Sequence, residues 1–458
     1  MDQILRRPPV PQRPRTQLEA FLVLRRNPLE LWGEAAYDED ILPGRFFGRE
    51  QLMLNAPDAI RHVLVTNADN YTRNAATHRV LQPLLGGGLF LAEGEAWKHQ
   101  RRTIAPAMAP RVMPILARHV VAACAVTEGE LGEQHGIVHL LPILQRLALQ
   151  IAAQSMFSLE ASEFARGLRA KLMEYGLTLA RPGVLDLLLP AGLPTPLDIR
   201  RAAFRREWLR LIDRVIDRRE RLAVPDGQPR DLFDLLAASR DPQSGAGFSR
   251  AQLRDEISTM IIAGHETTAV TLFWACYVAA RLPEQQARIA AEVAGLDLSA
   301  DNAAAALKSL VWTRAFVDEV LRLYPPAFLI VRLARAADVI CGRPIAAGTS
   351  INISPWVLHR HRRRWAAPQA FDPTRFLPDA PAVDRYAYLP FGAGPRICVG
   401  AQFALTEAVL VLARLIQSFE LQLIGPDKVT PRGFVTTQPD RPVRFMIARR
   451  QGAHRLAA

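Results

Sequence analysis

Residues Phe391 to Gly400 read FGAGPRICVG, and they run directly into AQFALTEAVLVLARLIQSF, residues 401–419. Gly392, Gly394 and Pro395 dictate a tight turn, and Gly400 keeps bulk away from the backbone after Cys398. The stretch that follows is apolar at helical spacing, so Cys398 is predicted at the amino end of a buried helix. Unpaired N–H groups and the helix dipole at such an end favour thiolate over thiol.

A thiolate so placed is either a nucleophile or a metal ligand. A nucleophile wants a base; none is obvious in the loop, which leaves a base from a distant segment as the open alternative. One cysteine is too few for zinc or an iron–sulfur cluster. A single axial thiolate is sufficient for a haem iron, and Arg396 is of the type to pair with a haem propionate. The plainer alternative is a buried, inert cysteine in a glycine turn.

The rest of the chain bounds these choices. Its 458 residues, 49% hydrophobic, supply a large core. Cys124, Cys276, Cys341 and Cys398 lack disulfide or zinc spacing, so free thiols and a cytoplasmic setting are expected. No low-complexity linker divides the chain. A single domain over residues 1–458 is expected, with residues 1–15 a flexible leader rich in proline and arginine, and no membrane-spanning helix is foreseen. The formal charge of +12 is almost all arginine, scattered through segments such as DIRRAAFRREWLRLIDRVIDRRERL and HRHRRRW. Without a focused patch or exposed stacking aromatics, nucleic-acid binding is not expected. The run His359 to Trp365 is read as mostly solvated, with docking of an acidic electron donor as its functional alternative.

Helical patterns dominate, and short strand-like runs lie near GRFFGREQLMLN, after Tyr324-Pro325-Pro326, and at FELQLIG and RPVRFMIA. The expected class is mainly α with small β-sheets. LLLPAGLPTPLDI reads as a mobile apolar loop between two helices. The longest helical pattern begins at Ser249, which with Gln252 makes a capping box, and ends before Pro283. Its middle, AGHETT, is a poor helix sequence: Gly264 gives up about 1 kcal/mol relative to alanine, and threonine hydroxyls bond back to carbonyls. Gly264 would let something flat approach the backbone, with Glu266 and Thr267 at its edge to relay protons. The competing account is a glycine that admits a neighbouring helix, with Glu266 satisfied by a buried partner.

FGAGPRICVG resembles, position for position, the F-x-x-G-x-R-x-C-x-G haem signature of the cytochrome P450 monooxygenases. Other segments agree, in the expected order: the E-x-x-R of Glu319 and Arg322, DPTRF with Arg375, AGHETT, and the W-x-x-x-R of Trp97 and Arg101. The resemblance implies the P450 fold, with haem b between the long central helix and the helix after the cysteine loop. It implies that Cys398 is the iron ligand, whose electron donation favours O–O cleavage. Gly264 would lie against the cofactor, Thr267 would hold oxygen and its water, and Glu266 would feed protons. Trp97, Arg101, Arg332 and Arg396 would meet the propionates, with Arg335 a rival to Arg332. Glu319 and Arg322 would join Arg375 in a buried network.

The implied activity is insertion of one atom of O2 into an apolar substrate, in a soluble bacterial-type monomer. The segments around NAATHRVLQPLLGGGLFL, LTLARPGVLDLLLPAGLP, Ala263, AFLIV and GFVTT would frame its pocket. Electrons are expected from a ferredoxin or flavodoxin with its NAD(P)H-dependent reductase. A peroxide-driven peroxygenase and a non-catalytic haem sensor on the same fold are the alternatives. The Glu266-Thr267 pair speaks against the first and would be superfluous in the second.

Overall fold

The computed structural model describes residues 7–134, 136–158, 165–180, 183–189, 193–221, 229–425 and 429–450. Helices make up most of it, and the strands gather in small sheets. The largest sheet has five strands in the order Ile41–Phe46, Arg49–Leu54, Ser350–Ile353, Ile330–Ala334 and Tyr71–Thr72. Only the pairing of Arg49–Leu54 with Ser350–Ile353 is parallel. The first two strands form a hairpin turned by Phe47 and Gly48, both at positive φ.

The central helix runs unbroken from Arg250 to Arg281, capped by Ser249 and Gln252 in the expected box, and Pro283 opens the next helix. It joins two hydrophobic clusters. Leu253, Ile257 and Ile261, one turn apart, pack into one. Val270 to Ala279 pack into the other, where Trp274 stacks on Tyr324 with ring centroids 4.0 Å apart. Ala263 to Thr267 therefore fall where apolar contact changes over. Phe403, on the helix Ala401–Ser418, packs against both clusters. That contact brings the cysteine loop to the same junction.

Several expectations need correction. The segment GIVHLLPILQRLALQIAAQSMF has a helical pattern from its first residue, yet Gly136–Val138 form a strand paired with Phe445–Arg449, and the helix starts only at Leu140. LLLPAGLPTPLDI is shorter as a connection than expected: its first residues end a short helix, Val184–Leu188, and the next helix begins at Pro196. Residues 190–192 lie outside the described set. Residues 1–6 of the leader lie outside the described set; within the remainder Pro8 is buried and Arg7 lies over the ring of Tyr37. Two helical stretches, Pro110–Glu133 and Ala401–Ser418, are long and apolar enough to cross a membrane, but half or more of each apolar window is buried in the protein.

Candidate functional site

The cysteine loop owes its shape to two glycines. Gly392 and Gly394 both have positive φ, and a Cβ on Gly394 would sit 1.9 Å from the carbonyl oxygen of Leu64. No side chain fits there. The Cys398 N–H donates to the Phe391 carbonyl at 2.9 Å and closes the turn. Gly400 caps the following helix and has no atom within 4 Å of where a Cβ would lie. The Cys398 side chain is solvent-accessible, although protein is packed densely around it. This crowding raises the thiol pKa, against smaller lowering effects from the Gly400 N–H and Arg101. Burial here opposes the thiolate that the helix end favours.

Midway along the central helix, otherwise so deeply buried, Ala263 is exposed and Gly264 has nothing within 4 Å of a Cβ position. Here the glycine admits no neighbouring helix. Open space adjoins it, as it adjoins Cys398 and Gly400 at the same junction of the two cores. Thr267, one turn on from Ala263, shares its face and donates its hydroxyl to the Ala263 carbonyl. That bond forms as anticipated, yet the helix does not break. Glu266 lies further round the helix, held by the amides of Gln438 (2.7 Å) and Gln145 (3.3 and 3.4 Å). Acid and alcohol are therefore adjacent in sequence but are differently held. Thr268 donates to the buried carboxyl of Glu407 at 3.3 Å, a link between the two helices that sequence reading did not include.

Arginines gather at one margin of the site. Arg396 donates to the Ala92 carbonyl at 2.9 Å, lies over the Trp97 ring at 4.6 Å and pairs with Glu93. Arg101 donates to the Ile397 carbonyl at 2.9 Å, which ties the helix Gly94–Ile104 to the cysteine loop. Arg332, on strand Ile330–Ala334, acts electrostatically on Arg73, and Arg396 and Glu93 act on Arg332, whereas Arg335 is exposed. Arg73 went unread in the sequence. Tyr71 pairs with Ala334 and Thr72 with Leu333, so the register extended by one residue sets Arg73 beside Arg332. Only strand pairing produces that neighbour. Arg73 pairs with Glu93 at 3.2 Å. Burial, first, and then the other guanidiniums lower the Arg73 pKa, and burial lowers those of Arg332 and Arg396. The cluster is short of negative charge.

Glu319 and Arg322 are wholly buried, and Arg375 approaches Glu319 at 3.6 Å, so the expected network is present. HRHRRRW is only partly solvated: the side chains of Arg362 and Arg363 are 43% and 54% exposed. His359, Arg360 and His361 are buried, Trp365 is 4% exposed, and Arg362, Arg363 and Arg364 pair with Glu34, Asp38 and Asp40. The run looks solvated in sequence because its acidic partners lie more than 300 residues away.

A family model described as Cytochrome P450 matches residues 38–444. Cyclooctat-9-en-7-ol 5-monooxygenase from Streptomyces melanosporofaciens is 30% identical over 410 residues, spanning 88% of this chain and 86% of that protein. Pentalenene oxygenase from Streptomyces avermitilis is 29% identical over 437 residues, spanning 93% and 94%. The crystal structure of the cytochrome P450DA heme domain superposes with a TM-score of 0.77 at 23% identity, over 90% of each chain.

Proposed function

The chain belongs to the cytochrome P450 family, and from that premise we propose that Cys398 ligates the haem iron and that the enzyme oxidises a cyclic, largely apolar alkene or alkenol substrate. Haem is the cofactor, and the activity is that of a monooxygenase. When bound, haem supplies the iron at which dioxygen is activated.

The residues suit that group. A soft sulfur donor stands at an opening, no atom crowds Gly264, and among the described residues Glu93 is the one carboxylate ion-paired with the four arginines. Two propionates would meet the deficit of negative charge. Arg101, Arg332 and Arg396 would hold them, with Trp97 backing Arg396 and Arg73 as an addition. Thr267 presents its hydroxyl on the open face, where it would hold a water and pass a proton inward. Glu266 would replenish that proton once its carboxylate turns from Gln145 and Gln438.

The relatives' names support the substrate class: both pentalenene and cyclooctat-9-en-7-ol are unsaturated rings. Exposed Phe90, stacked with Arg73 at 4.7 Å, places an apolar surface beside the arginine margin. The family implies redox partner proteins. A ferredoxin or flavodoxin with its reductase, and residence in the cytoplasm, belong to this proposal.

The observation that carries the reading is an accessible cysteine set at the same core junction as an exposed stretch of buried helix. The reduced, carbon monoxide-treated protein is expected to show the thiolate-type Soret band, and Cys398→Ala to abolish it. Its persistence in that variant would end the assignment. Titrating the ferric protein with cyclic alkenes should shift its spin state more readily than fatty acids or steroids do.

A further inference from the structure

Glu93 stands at the N-cap of the helix Gly94–Ile104 and makes no side-chain capping bond there. Aspartate, asparagine and serine are the usual caps, because their short side chains reach back to the first free N–H groups. Glutamate is longer, and here it reaches into the arginine cluster instead. One carboxylate oxygen accepts from Arg73 at 3.2 Å, and the other pairs with Arg396. Among the described residues, Glu93 is the only acid in direct ion-pair contact with this group. Neither Arg101 nor Arg332 is ion-paired with an acid among the described residues.

If the arginines receive the propionates, as proposed above, Glu93 occupies two of the same guanidiniums. We propose that Glu93 is a tethered competitor for the haem propionates, one that loosens the hold on the cofactor and biases the iron toward the ferric state. The physical basis is direct. A negative charge fixed beside two others repels them, and it disfavours adding an electron to the nearby iron. The competitor is displaceable. Its side chain is 32% exposed, so it can turn to water, whereas Arg73 and Arg396 are 7% and 16% exposed and stay in place.

The test uses the haem-loaded full chain. Ferric haem transfer to excess apomyoglobin is followed at the Soret band for wild type, Glu93→Gln and Glu93→Ala, and the reduction potential is measured in parallel. Both variants should lose haem more slowly, by about tenfold at low ionic strength, and their potentials should move positive. Added salt should shrink the difference. Unchanged or faster haem loss with an unmoved potential would overturn the proposal and make Glu93 an organiser of the arginines. Arg332→Ala and Arg396→Ala separate this from the underlying assignment. If neither hastens haem loss, the propionate reading itself fails, and Glu93 has nothing to compete with. If both do, the Glu93 variants alone decide.

Discussion

Arg322 holds Glu319 by two near-parallel hydrogen bonds, 2.6 Å from Nε and 2.7 Å from Nη2, and neither side chain is exposed at all. The remaining donors of Arg322 reach the carbonyls of His359, Pro368 and Ala370, at 2.7 to 2.8 Å. One guanidinium thus ties a helix to the irregular chain that leads to the cysteine loop.

Replacing Arg322 by alanine strands a buried carboxylate and three carbonyl groups together. The expected cost is about 3–5 kcal/mol, enough to yield apoprotein or aggregate. Arg322→Lys keeps the charge but not the planar fork, and should also lose haem, with less aggregation. Haem content per folded protein and the urea midpoint measure both. A wild-type yield of haem-loaded Arg322→Ala would refute the role.

Two glycine substitutions should behave oppositely. Gly394→Ala forces a side chain onto the Leu64 carbonyl at a backbone angle that disfavours it, so the loop should not form. Gly264→Ala meets no protein atom and should stabilise the haem-free chain by about 1 kcal/mol through helix propensity. Its haem content should nevertheless fall, because the added methyl intrudes on the cofactor's space. Full haem loading of Gly264→Ala would place the cofactor elsewhere.

Thr267→Ala removes the hydroxyl on the open face of the central helix. Reductant and oxygen consumption should continue while product falls severalfold and hydrogen peroxide rises. Measuring peroxide against product gives the answer, and unchanged coupling would take Thr267 out of proton delivery.

Stability should narrow from both sides of neutrality. Buried His359 is neutral, its pKa pushed down to about 3 chiefly by burial; it accepts from the Leu389 N–H at 2.8 Å. The unfolded chain binds this proton at higher pH, so stability is full above about 6.5 and falls as pH drops toward 3. Buried Glu407 behaves in reverse. Burial pushes its pKa up to about 8; the folded state keeps the proton longer, and stability falls as pH rises from about 4.5 to 8. Glu407→Gln should therefore raise the urea midpoint at pH 9 and leave it little changed at pH 5. Equal effects at both values would contradict a protonated Glu407.

Much of this was legible in the sequence because it depends on local chemistry. The glycine turn, the capping box at Ser249 and the i, i+3 spacing of Glu319 and Arg322 are set by neighbours a few residues apart, and all three appear in the fold. Local spacing also marks Ala263 to Thr267 as unlike the rest of their helix. What tertiary structure alone decided are the charge partners. Arg73 meets Arg332 only through strand pairing, Arg362 to Arg364 find their acids across the whole chain, and Glu266 turns to amides on two distant segments. Sequence states which charges exist; which of them are neutralised depends on long-range packing, because a Coulomb interaction follows distance in space and local dielectric and is indifferent to separation along the chain.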